Sequence, residues 1–286
     1  MKVLVTGGAG FVGSNLIRQL VKNKSFEVYS LDNYFTGQTE NHVQGASYIK
    51  GGSKEIDELI DFIPAVVFHF GEYSRVSTSF EDLETVWKYN VNGTYKVLEF
   101  CRKNKCKLIY SASSTKFGDN GENVNKSPYA FFKSHNTDLI YNYGEWFGLD
   151  YVICYFYNVY GSSQIKTGKY ATVIGIFEEQ SKNKQSLTVV EPGSQERDFT
   201  HIDDIVDGLI LLMNGGVGDN YCLGTGTSYS ILEVAKMFSK NLTFIESRKG
   251  ERCNSNIDLN KVKKLGWEAK INLKDYILNF KSQNSD

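Results

Sequence analysis

The chain has 286 residues, 41% hydrophobic and 23% charged, a composition that suits a globular protein with a substantial core. Its formal net charge of -1 gives no reason to expect nucleic acid or an anionic membrane surface as the main partner, and no apolar run approaches the roughly 20 residues that span a bilayer. The five cysteines are scattered, and no second Cys/His pair joins Cys101 and Cys106 to complete a zinc site; buried free thiols, no metal and a cytoplasmic location are expected.

The first predicted element is a strand at Val3-Leu4-Val5, followed by TGGAGFVGSN and a helical pattern over 14–23. Gly7, Gly10 and Gly13 stand at GxxGxxG spacing between strand and helix. There, glycines permit a tight turn, close approach of backbone to a pyrophosphate, and close packing of helix on strand. The second predicted strand, Glu27 to Leu31, runs into Asp32 and Asn33. A carboxylate at Asp32 suits the ribose hydroxyls of a dinucleotide and repels a 2′-phosphate, so NAD is expected rather than NADP. Further strands are predicted at 65–70, 107–111 and 150–156, all rich in Val, Ile, Phe and Tyr with little polar alternation, as parallel strands buried on both faces require. Helical patterns at 56–62, 83–103 and 128–147 alternate with them, and this order predicts a Rossmann-type α/β fold with a doubly wound parallel sheet. The last of these helices is well punctuated, with Ser127 as N-cap, Pro128 in its first turn and Gly148 past its end. Beyond 161 the pattern loosens. One more helix is predicted from Ile202 to Met213, and the end of the chain forms a small mixed α+β portion. The expected division is 1–161, together with about 198–214, as the dinucleotide-binding domain, and 162–286 as a smaller substrate-binding domain.

The helix at 128–147 begins PYAFFK, with Tyr129 four residues before Lys133. In a chain with 18 Tyr and 32 Lys+Arg, that spacing arises freely by chance, so its meaning must come from elsewhere. It comes from the motifs TGGAGFVGSNL, LDNYFTG, HFGEYSRV, YNVNGT, YSASSTKFG, YAFFK, YFYNVYG, RDFTHIDD and RKGER. In this order they resemble the extended short-chain dehydrogenase/reductases, and most closely the nucleotide-sugar epimerase/dehydratase group that includes UDP-glucose 4-epimerases.

The resemblance implies roles residue by residue. Tyr129 matches the general acid/base, Lys133 the lysine that holds the nicotinamide ribose, and Ser113 the serine that shares hydrogen bonds with the sugar hydroxyl and the tyrosine. Ionising a free phenol at neutral pH costs roughly 4 kcal/mol, which nearby cations offset. Gly7, Gly10, Phe11, Val12, Gly13, Asp32, Asn33 and Phe70 fall at cofactor-contacting positions, with Tyr129 and Lys133. Asn158 matches a residue near the sugar diphosphate, and Arg197 and Arg248 match arginines whose planar forks bond phosphate oxygens bidentately. Ser255 falls where glucose/galactose-restricted epimerases often carry a bulky aromatic, so room for a 2-acetamido group is implied. His69 and His201 are expected to be structural. Gly52 stands where relatives often place an adenine-contacting Asp. Glu72 and Tyr73 replace residues that are usually small, and either reach the substrate or fill space.

Dehydratases of this group commonly carry an Asp-Glu pair directly after the catalytic Ser/Thr, and decarboxylases a Glu; here those positions are Ser114 and Thr115. The expected activity is therefore NAD-dependent 4-epimerisation of a nucleotide sugar, a UDP-hexose or UDP-N-acetylhexosamine, through a transient 4-keto sugar with internally recycled NAD. A nucleotide-sugar dehydrogenase, ketoreductase or dehydratase is the alternative, and a non-catalytic dinucleotide-binding protein a further one. By resemblance to dimeric relatives, a homodimer through the helices 83–103 and 129–147 is implied.

Overall fold

The computed structural model describes residues 1–250, 252–254 and 257–284. The first half runs β1 (Lys2–Thr6), α1 (Phe11–Leu20), β2 (Glu27–Asp32), β3 (Ala46–Lys50), α2 (Ile56–Leu59) and β4 (Val66–His69). It continues through α3 (Leu83–Val86), α4 (Thr94–Asn104), β5 (Lys107–Ser113), α5 (Pro128–Phe147) and β6 (Tyr151–Phe156). The second half adds α6 (Val173–Lys182), β7 (Leu187–Val190), β8 (Glu196–Asp198), α7 (Ile202–Gly215) and β9 (Gly218–Leu223). It closes with β10 (Ser228–Ser230), α8 (Ile231–Phe238), β11 (Leu242–Ile245), α9 (Asn260–Lys264) and α10 (Leu273–Gln283).

Seven strands form one parallel sheet in the order β3-β2-β1-β4-β5-β6-β9. The central strands are apolar on both faces because both faces are covered. Val3, Val5, Val28 and Phe68 pack with Leu16 and Ile17 of α1 and Ile205, Leu209 and Leu212 of α7. Leu4, Val67, Leu108 and Tyr110 face Val97, Leu98 and Cys101 of α4 and Ile140 and Tyr143 of α5. A third, smaller core gathers Phe177, Leu187, Val189, Phe199, Val234, Phe238 and Ile277. The strand order reverses between β1 and β4, where a doubly wound sheet opens a crevice at its carboxyl edge.

Ser127 caps α5, its Oγ accepting the Ala130 N–H at 3.1 Å, and Gly148 ends the helix in the left-handed region at φ 67°. Two edge strands carried no clear signal in the sequence. β3 (ASYIK) is half-exposed, and β9 (GDNYCL) begins polar because it is covered only near its end. β9 extends the main sheet with residues beyond the boundary drawn at 161. The helix predicted over 83–103 is continuous in direction, but Trp87–Gly93 winds at π pitch between α3 and α4. The 56–62 helix is cut to one turn, Ile56–Leu59. Four cysteines are buried, but Cys253 is exposed, contrary to the uniform burial expected, because it lies in the loop between β11 and α9. No described helix is long and apolar enough to cross a membrane.

Candidate active site

A cleft of about 510 Å³ runs along the carboxyl edge of the sheet. At one end the β1–α1 turn forms a floor with no room for side chains. Gly7 sits at φ +72°, and a Cβ there would lie 2.9 Å from the Gly71 nitrogen; one on Gly13 would lie 2.3 Å from the Gly7 carbonyl oxygen. Gly10 occupies the N-cap without a capping side chain, leaving the first-turn amides of α1 to an anion, which the helix dipole favours. Phe11 and Val12 line the same end. Asp32, 5% exposed, closes β2 and accepts amide hydrogens from Ala9 and Tyr34, both at 2.8 Å. Burial pushes its carboxyl up, and those two amides oppose the shift. Asn33 and Phe70 complete the wall. A glycine cradle ending at a buried carboxylate fits a dinucleotide.

The middle of the cleft is made by β5, α5 and the loop after β4. Ser113 ends β5, and its Oγ accepts from the Thr115 amide at 3.3 Å and the Thr115 hydroxyl at 2.9 Å. With both lone pairs engaged, the Ser113 hydrogen is free to donate into the cleft. Tyr129 and Lys133 lie one turn apart on α5 and both line the cleft. Lys133 donates to the Glu72 carboxylate and to the Ser111 carbonyl, and its ammonium lies 4.3 Å from the Tyr110 ring centroid. Sequence gave Glu72 and Tyr73 one shared ambiguity, and the structure separates them. Glu72 engages Lys133, whereas the Tyr73 hydroxyl turns away to Thr78 and to Asp82 at 2.9 Å.

The far end is cationic. Arg197 and Arg248 line it, as does Asn158, whose amide donates to the Asp198 carbonyl at 2.7 Å. Arg252, to which sequence reading gave no role, lines it too and is only 6% exposed. Its carbonyl accepts from Arg197 at 2.8 Å, while its own Nη1 is buried with no hydrogen-bond partner among the described residues. Burial, reinforced by the nearby Arg197 charge, holds its guanidinium down to about 10. The signal lay in the RKGER motif itself, where only the first arginine was given a role. Arg75 also lines the cleft, its Nε bound to the Tyr170 carbonyl at 2.9 Å. Ser255 lies outside the described residues.

Other residues singled out in the sequence stand apart from the cleft. His201 caps α7, accepting the Asp203 amide at 3.2 Å. His69 is wholly buried behind the site.

The description "NAD dependent epimerase/dehydratase family" matches residues 3–224. A putative UDP-glucose 4-epimerase of Methanocaldococcus jannaschii is 32% identical, across 96% of this chain and 95% of that protein. UDP-glucuronic acid decarboxylase 3 of Arabidopsis thaliana is 28% identical, across 96% and 86%. The crystal structure of UDP-glucose 4-epimerase from Thermotoga maritima with UDP-glucose superposes with a TM-score of 0.90 at 26% identity, covering all of both chains. The chain belongs to the NAD-dependent epimerase/dehydratase family, and NAD is its cofactor.

Proposed function

We propose that this member of the NAD-dependent epimerase/dehydratase family is a nucleotide-sugar 4-epimerase. The observation that carries the reading is the set of carboxylates facing the cleft. Among its described lining residues only Asp32 and Glu72 are acidic; the first lies at the cofactor end and the second is bound to Lys133. Elimination of water from C5–C6 needs a further acid and base. The two residues after Ser113 are Ser114 and Thr115, and Thr115 spends its hydroxyl on Ser113. Neither Ser114 nor Thr115 is an acid or base suited to eliminating water from a keto sugar, which supports the epimerase reading.

The glycine turn, Asp32 and Lys133 would hold NAD, which supplies the hydride acceptor and donor when bound. Tyr129 removes the proton from the C4 hydroxyl and returns one to the C4 oxygen after the sugar has turned over. Ser113 donates to the same oxygen and keeps it within reach of the phenol. Arg197, Arg248 and Arg252 hold the diphosphate, so that the sugar alone rotates. A UDP-hexose or UDP-N-acetylhexosamine suits this arrangement, as the UDP-sugar names of the relatives suggest. The residues through 161, with 198–214, serve as the cofactor-holding half. Trp87 and Trp146, 50% and 61% exposed, lie in the helical segments expected to carry a homodimer interface, and light scattering should return twice the chain mass.

The test is a panel of nucleotide sugars incubated with purified protein and followed by NMR at C4. Interconversion of a C4 pair without added NAD(H) is expected. A stoichiometric demand for NAD(H), or a keto, unsaturated or decarboxylated product, would reject 4-epimerisation.

A further inference from the structure

Lys133 is held by a carboxylate that itself sits at the end of a directed chain of hydrogen bonds. Thr6 Oγ1 accepts the amides of Phe70 at 3.2 Å and Gly71 at 3.0 Å, so its own hydrogen is left for His69 Nδ1 at 2.7 Å. His69 is fully buried, and burial lowers its pKa to about 4, which keeps the ring neutral with its hydrogen on Nε2. That hydrogen points to Thr94 Oγ1 at 3.1 Å, and Thr94 donates in turn to Glu72 Oε1 at 2.8 Å. Tyr110 and Asn136 donate to the same oxygen at 3.1 and 3.0 Å, while Lys133 occupies Oε2. Three donors thus converge on Oε1 and the ammonium takes Oε2, so both oxygens of the carboxylate are engaged. The side chains of Lys133 and Glu72 are only 6% and 3% exposed.

The surrounding backbone is arranged to the same end. Asn90 lies in the π-pitch segment, and its side chain bonds both the amide and the carbonyl of Tyr73, at 2.7 and 3.0 Å, fixing the chain beside Glu72. Its own carbonyl accepts from Asn136 at 2.7 Å. An ammonium group has three hydrogens. Glu72 and the Ser111 carbonyl take two, leaving one for the open cleft.

We propose that Glu72 is a positioning residue, which anchors the Lys133 ammonium before any cofactor arrives and leaves it a single direction in which to donate. The lysine is thus preset by a buried ion pair, with the cofactor adding to an anchor already in place. Glutamine at position 72 would keep the shape of the side chain but turn an amide donor toward one of the donors that now converge there. Aspartate would keep the charge but shorten the reach. A space-filling role and an anchoring role therefore rank these two variants in opposite order.

The proposal rests on the family role of Lys133, and its test has one arm that needs no turnover. Ligand-free wild type, Glu72→Gln and Glu72→Asp are treated with an amine-acylating reagent, and modification of Lys133 is followed by mass spectrometry. Anchoring predicts labelling at least about tenfold faster in Glu72→Gln than in wild type, with Glu72→Asp between them. In the C4 assay, Glu72→Gln should lose about 10²-fold in kcat, with KM for the nucleotide sugar within about twofold and with Glu72→Asp the better of the two. Equal labelling in all three proteins overturns the proposal. So does Glu72→Gln surpassing Glu72→Asp in kcat, which is the order packing alone would give. Absence of C4 interconversion in every protein, with labelling ranked as above, would remove the epimerase reading and leave the anchor standing.

Discussion

Two groups of cations face the same cleft and are treated in opposite ways. Lys133 is paired with a carboxylate, and two of its three hydrogens are assigned. Arg252 is buried beside Arg197, and no carboxylate forms an ion pair with it among the described residues. Burying a charge without a partner is costly, so the second arrangement is stable only as far as an anion completes it. A paired cation is one whose place has been fixed in advance. Arg252, buried with one nitrogen unpartnered among the described residues, stores binding energy for a diphosphate and belongs to the less stable part of the ligand-free molecule.

The contrast can be tested from its largest consequence down. Tyr129→Phe removes the proton-transfer group at the paired end and should lower kcat about 10³-fold, with UDP affinity unchanged by calorimetry; equal loss of UDP affinity would mean that the two ends are not separable. Arg252→Met should weaken UDP binding about 10²-fold and yet raise the melting temperature of the ligand-free protein by a few degrees. A lower melting temperature would show that the Arg252 charge is already compensated.

The chain of donors behind Glu72 adds a pH dependence. An unfolded histidine titrates near 6.5, whereas buried His69 resists protonation down to about 4, so below pH 6.5 the unfolded chain binds the extra proton first. The native state therefore loses stability as pH falls from 6.5 toward 4, about 2 kcal/mol of it by pH 5. Denaturant titrations of wild type and His69→Gln should differ in slope across that window and run parallel above pH 7. Smallest, Asp32→Asn should narrow the preference for NAD over NADP by about tenfold, read from dissociation constants without any sugar present.

Much of the cofactor end was legible because it is local. A glycine turn of seven residues, the strand before it and the carboxylate closing the next strand lie within one β-α-β unit, and their spacing survives folding unchanged. The Tyr129 helix was legible for the same reason, since Ser127, Pro128 and Gly148 mark its ends within the helix's own sequence. Glu72 was ambiguous because its partners come from four other places, at Thr94, Tyr110, Lys133 and Asn136. Arg252 went unremarked because charge in a sequence carries no sign of burial. The edge strands escaped because a strand covered on one side carries only half the apolar signal of a central one.

By itself the amino-acid sequence determined the alternation of the central strands and their helices, the dinucleotide turn, the choice of NAD and the helix that carries Tyr129 and Lys133. These rest on periodicity, capping and backbone freedom, which act between near neighbours. Only the tertiary structure decided that Glu72 belongs to the lysine, that Tyr73 faces Asp82, and that Arg252 is buried beside a second arginine. Those outcomes depend on which side chains the sheet brings within about 3 Å of one another, where pairing and desolvation outweigh anything a linear spacing encodes.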